Sequence, residues 1–141
     1  MTLIDRLSKL DGPDRGVDAL IEVAVRRVEA ARSGLAEEHW AKWQAAPDGT
    51  VYDPHTRYAS KPVTAAVDAA IALARSLWPD VMYRVGNHAE GYDPSLYLGE
   101  IFISGETQRD YFTEVASSDA IALCIALLRA KEASALGEQS E

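Results

Sequence analysis

Aromatic and cationic residues crowd the stretches of this chain that carry no helical stripe. Tyr52, His55, Arg57, Tyr58 and Lys61 fall in one such stretch, and Arg84, His88, Tyr92 and Arg109 in the next. A tyrosine ring stacks on a base and an arginine forks onto a phosphate, so this set is what a pocket for a nucleotide-sized anion needs. Protein interfaces enrich the same residue types. Arg57, Tyr58, Lys61, Arg84, His88, Tyr92 and Arg109 are therefore the candidate ligand-binding residues, with no catalytic or metal-ligating residue assigned.

The remaining reactive side chains have simpler readings. His39, His55 and His88 are far apart in the sequence and lie in or next to expected loops, where they read as solvated. His88, Glu90 and Asp93 are metal-ligating types, but their spacing fits no standard site and a polar turn explains them. Asp14, Arg15 and Asp18 resemble an acid-base cluster, yet Asp14 can cap a helix and Arg15 can pair with Asp18 or Glu22. Asp68, in a first helical turn, is explained by the helix dipole. The phosphate-loop, dinucleotide, nucleophile-elbow and zinc-ligand spacings are missing, so no cofactor is called for.

Composition narrows the field further. The net charge of −8 disfavours DNA or RNA, whose binding depends on many lysine and arginine contacts to phosphates. A small anion held by two or three arginines stays compatible with that charge. The single cysteine, Cys124, sits in the most apolar stretch and reads as a small core hydrophobe. With no cysteine pair, no apolar run near 20 residues and no apolar leader, a soluble cytoplasmic protein is expected, without membrane contact.

The elements that must position these residues follow from hydrophobic period. Leu3, Ile4, Leu7 and Leu10 make a short helical stripe that stops at Asp11-Gly12-Pro13-Asp14. Val17, Leu20, Ile21, Ala24, Val28 and Ala31 form a second stripe, and a helical continuation over Ser33 to Trp43 is compatible with the pattern. The stretch of about 45–61 has no period and reads as a long loop. A third helix starts near Pro62 to Ala66, with Ser60 and Thr64 as alternative caps, and ends at Trp78-Pro79. Period two then predicts three strands: Val81 to Val85, Leu96 to Ile103 with Gly99 as an interior weak point, and Tyr111 to Val115.

The last helix runs through nine uncharged residues, Ala120 to Leu128, and must be covered on most of its circumference. Ser117 or Ser118 caps it, Arg129 and Lys131 are expected in its last turn, and residues of about 134–141 are expected as a flexible tail. The order of elements predicts one α+β domain over 1–141, an antiparallel three- to four-stranded meander layered with helices. So small a sheet leaves free edges, from which a homodimer or higher oligomer is expected.

Three segments together resemble a family of small phage and prophage proteins, the phage alpha/beta/alpha sandwich domain. They are Gly12-Pro13-Asp14-Arg15 with Val17-Asp18, Val63 to Ile71, and the Ala120 to Ala130 helix. The family's tyrosine is Val63 here, its capping serine is Ala66, and residues 33–62 are extra length. The resemblance implies a phage or prophage origin and a layered α/β fold, and it carries no catalytic residues.

The function expected from all this is a non-enzymatic phage accessory protein that binds a partner. Its sharper form is an anti-defence sponge sequestering a nucleotide-derived signal of host immunity. An alternative is a protein-binding inhibitor or assembly factor that meets a host or phage protein through its acidic surface. A third is an undescribed small hydrolase using His55 or His88 as base.

Overall fold

A computed structural model describes residues 2–34, 41–87, 91, 93, 95–104 and 109–139. The fold is α+β: helices α1 (Leu3–Ser8), α2 (Arg15–Arg32), α3 (Val67–Leu77) and α4 (Asp119–Gln139), with strands β1 (Gln44–Ala45), β2 (Thr50–Tyr52), β3 (Arg57–Ala59), β4 (Met82–Gly86), β5 (Tyr97–Ser104) and β6 (Arg109–Ala116). The strands make two antiparallel sheets, β1-β2-β3 and β4-β5-β6. The second is the meander that the period-two pattern predicts.

α4 is the hub. Every residue from Ala120 to Leu128 is buried, because β5 and β6 cover one side of the helix while α3 and α1 cover the other. Ile121, Leu123, Ile125 and Leu127 are fully buried, each contributing about 2 kcal/mol by removal from water. Ser118 caps the helix by accepting from the Ile121 amide at 3.2 Å, and Ser117 instead donates to the Leu10 carbonyl at 2.8 Å. Gly99 is no weak point. A β-carbon there would sit 2.3 Å from the Leu123 nitrogen, so its bare backbone lets α4 lie directly on β5.

The helix also runs further than its apolar core. It continues to Gln139, so Arg129 and Lys131 stand in its interior, not its last turn, and 134–139 are helical backbone where a tail is expected. Arg129 earns its place through a 2.8 Å ion pair to Glu114 of β6. The period-based reading ended the helix where the apolar run ended, because a polar helical extension carries no stripe to follow.

The N-terminal half is tied in by a buried polar network. Asp14 caps α2 by accepting from the Val17 amide at 3.0 Å. Asp18 is fully buried; it accepts from the Thr64 amide at 2.8 Å, the Thr64 hydroxyl at 2.6 Å and Arg15 at 2.7 Å. Arg15 also donates to the Ser60 carbonyl at 2.7 Å, and the Ser60 hydroxyl donates to the Gly49 carbonyl at 2.7 Å. Gly49 has φ of +94°, and a side chain there would strike the Arg15 guanidinium. Ser60 and Thr64 are thus members of this network and not caps of α3, whose N-cap position, Ala66, makes no side-chain hydrogen bond.

α2 ends at Arg32, with Gly34 at φ of +81° turning the chain away; of the expected helical continuation over Ser33 to Trp43, residues 33–34 and 41–43 are not helical and 35–40 lie outside the described residues. Arg32 donates to the Leu77 carbonyl at 2.6 Å, joining the C-terminal ends of α2 and α3. Among the described residues, no helix is long and apolar enough to cross a membrane.

Candidate ligand-binding cleft

The stretch of about 45–61, expected as a loop, is the small sheet. Strands of two and three residues are too short to show a period, and the turn-forming residues between them are the hairpin connections. The Pro47-Asp48-Gly49 turn is closed by the Gly49 amide on the Ala46 carbonyl at 3.0 Å, with the Thr50 amide on the Asp48 carboxylate at 3.0 Å. In the Asp53 to Thr56 turn, one Asp53 oxygen accepts from the His55 and Thr56 amides, both at 2.7 Å. These amide bonds hold Asp48 and Asp53 below the usual carboxylate range, so both are ionised at neutral pH.

Register decides which side each residue serves. Ala45, Val51 and Tyr58 pair across the sheet, and so do Gln44, Tyr52 and Arg57. Val51 is buried against Ala19 and Val23 of α2, with Ala45 and Trp43 packed alongside, which makes the Tyr58 side the inner face. The outer face carries Tyr52 and Arg57, and the Tyr52 hydroxyl donates to Gln44 at 2.9 Å.

Each face borders a cleft. The inner one, of about 240 Å³, is lined by Arg26, Trp43, Val51, Tyr52, Asp53, Thr56 and Tyr58. Its arginine is already engaged, lying 3.7 Å from Glu22 and 3.2 Å from Glu29. Burial pushes the Glu22 carboxyl up despite Arg26, and burial with the nearby Glu22 charge pushes the Tyr58 hydroxyl up. Arg27 anchors the cleft's edge by donating to the Trp43 carbonyl at 2.9 Å.

The outer cleft is larger, about 540 Å³, and its wall includes Asp48, Tyr52, Asp53, His55, Thr56 and Arg57. Tyr52 is 40% exposed. Among the described residues no hydrogen bond or ion pair engages the Arg57 guanidinium, whereas the two aspartates are turned into their own backbone amides. A flat π-face and an unengaged planar cation on one rim can hold a ring and an oxyanion together.

The seven candidate residues do not form one site. Arg57 and Tyr58 are neighbours in a strand and so project to opposite faces. Lys61 is exposed and acts with Arg26 on Glu22, on the inner side with Tyr58. Arg84 stands on the large sheet, 3.3 Å from Glu100, and Arg109 opens β6 opposite Ser104. His88 and Tyr92 lie outside the described residues. Arg26 and Trp43 were missed: Arg26 sits on the polar side of a helix, where a charged residue is ordinary, and Trp43 closes the stretch whose pattern is compatible with a helical continuation, ahead of the period-free 45–61. Tyr52 was legible as part of the aromatic cluster.

Among the described residues no three histidine, cysteine, aspartate or glutamate side chains converge. Cys124 is fully buried, its thiol pushed well above the usual range by desolvation, and its sulfur lies 3.4 Å from the Val63 carbonyl. Comparison with protein-family models, with curated proteins and with solved structures yields no match to this chain.

Proposed function

We propose that this chain is a non-enzymatic binding protein that holds a small nucleotide-derived anion in the outer cleft of the small sheet. Arg57 takes the phosphate and Tyr52 stacks on the base. The observation that carries the reading is the Arg57 guanidinium, unengaged among the described residues, beside the exposed Tyr52 ring in a cleft of about 540 Å³. The three phage-like segments supply a setting for it, a phage or prophage accessory protein that sequesters a signal of host immunity. That role rests on analogy with the logic of such proteins.

Titration calorimetry against a panel of cyclic dinucleotides and ADP-ribose derivatives tests the proposal. One compound should bind saturably, and Tyr52→Ala should weaken it by about 1–3 kcal/mol, the worth of one stacked base. A panel that gives no binding, or a Tyr52→Ala variant that binds as well as the native chain, overturns it.

A second reading, capture of a host or phage protein, is favoured by the exposure of Tyr52 and Tyr58 together on an acidic chain. Pull-down from host lysate separates the two. A stoichiometric protein retained by the native chain and lost with Tyr58→Ala supports this reading; retention of nothing argues against it.

A further inference from the structure

The large sheet has one face against α4 and one face that no described element packs on. The residues of that outer face follow from the register in three rows. Gly86, Leu98 and Val115 form one, Arg84, Glu100 and Thr113 the next, and Met82, Phe102 and Tyr111 the third. Met82 is 61% exposed and Tyr111 65%, and Phe102 stacks on Tyr111 with ring centroids 4.5 Å apart. The middle row is polar and linked: Arg84 lies 3.3 Å from Glu100, and the Thr113 hydroxyl donates to the same carboxylate. A cleft runs between Met82, Arg84, Glu100 and Phe102.

The geometry points to a second copy of this chain as the occupant of this face, packed sheet on sheet about a two-fold axis. The argument is one of self-complementarity, which a two-fold interface requires. An axis in the plane of contact, parallel to the strands and midway between β4 and β5, sets β4 of each copy over β5 of the other. Because Arg84 and Glu100 are register partners, the rotation exchanges their positions. Arg84 then lies over Glu100 of the second copy, and Glu100 over its Arg84.

The same operation exchanges Met82 with Phe102, so thioether meets aromatic ring on both sides of the axis. It also exchanges Gly86 with Leu98, so a leucine faces a position without a side chain. Charge points the same way. Copies of a chain carrying −8 repel at most surfaces, while the described charged groups of these three rows are one arginine and one glutamate.

Size sets the strength. With the axis midway between β4 and β5, the overlap is those two strands over their five paired residues, about 17 Å by about 10 Å, on the order of 170 Å². That is about a fifth of the ~800 Å² per partner of a standard interface, so the dimer is weak and exchanges quickly. This inference is independent of the small-sheet cleft and survives the loss of that reading.

Sedimentation velocity between roughly 20 µM and 1 mM, a range reaching that weak affinity, is the test. The native chain should shift from monomer to dimer across the range. Arg84→Glu and Glu100→Arg, each placing like charges opposite one another, should weaken association by roughly tenfold or more. The double variant R84E/E100R, which restores every opposite pair, should recover it. Met82→Asp, at a position exposed in the single chain, serves as a second disruption that leaves the monomer folded by circular dichroism.

A native chain that stays monomeric throughout overturns the proposal. So do a dimer indifferent to Met82→Asp and both charge reversals, which would place association at the β6 edge or elsewhere, and a double variant no tighter than the singles.

Discussion

Two regions of this molecule bring together arginine, aspartate and threonine, and they use them oppositely. At the start of α2, Arg15, Asp18 and Thr64 close on one another, with Asp18 fully buried and both its oxygens hydrogen-bonded. On the small sheet, Arg57, Asp53 and Thr56 stand around an open cleft; Asp53 and Thr56 are bonded to each other, and among the described residues the Arg57 guanidinium has no partner. What separates a structural cluster from a binding site is therefore access to water and an unspent donor. Residue type alone does not distinguish them.

The largest expected effect lies in the buried cluster. Asp18→Ala strands Arg15 and Thr64 without their shared acceptor and should cost about 3–4 kcal/mol of stability, read from urea unfolding. Thr64→Val removes the hydroxyl and keeps the shape, so the Asp14 amide loses the oxygen it donates to at 2.9 Å and Asp18 loses one of the two Thr64 donors; about 2 kcal/mol is expected from the same measurement. Were either variant to unfold like the native chain, the cluster would not be the tether between α2 and the segment before α3.

A gain is expected where the N-terminus of α3 goes uncapped. Ala66→Ser should add about 1 kcal/mol if its hydroxyl reaches a free amide of the first turn, visible as a higher melting temperature. This sharpens the comparison, because Thr64, two residues earlier, is committed to Asp18 and cannot cap.

Glu22 stands between the two regions, buried in α2 beside the inner cleft. Its carboxyl is raised mainly by burial, so the folded state holds the proton more tightly than the unfolded chain. Its contribution to stability is therefore present in acid and lost as pH rises through the folded-state value. Glu22→Gln should melt above the native chain at neutral pH, and the difference should close below about pH 3.5, under the unfolded glutamate value of about 4.3. A constant difference across that range would contradict the assignment.

Much of the fold was legible because it is written in period. The stripe of α2, the alternation in β4 and the apolar run of α4 each give an element with its buried side, and the Asp14 cap and the Arg15–Asp18 pair follow from spacing. What did not show is what has no period: three strands of two or three residues, the polar extension of α4 to Gln139, and the burial of Asp18, which depends on Thr64 arriving from 46 positions away. The candidate site shared that limit. Arg57 and Tyr58 are adjacent in the sequence, and only the pairing of β2 with β3 reveals that a strand sends them to different sides.

The central claim is that Arg57 is a donor kept for a ligand and not for the fold, and Arg57→Ala tests it by calorimetry and unfolding in parallel. Stability should stay within about 0.5 kcal/mol of the native chain, as for an exposed residue with no partner among the described residues. Affinity for whichever cyclic dinucleotide or ADP-ribose derivative the native protein binds should fall roughly tenfold or more. Unchanged affinity, or a native chain that takes up none of the panel, would contradict the account.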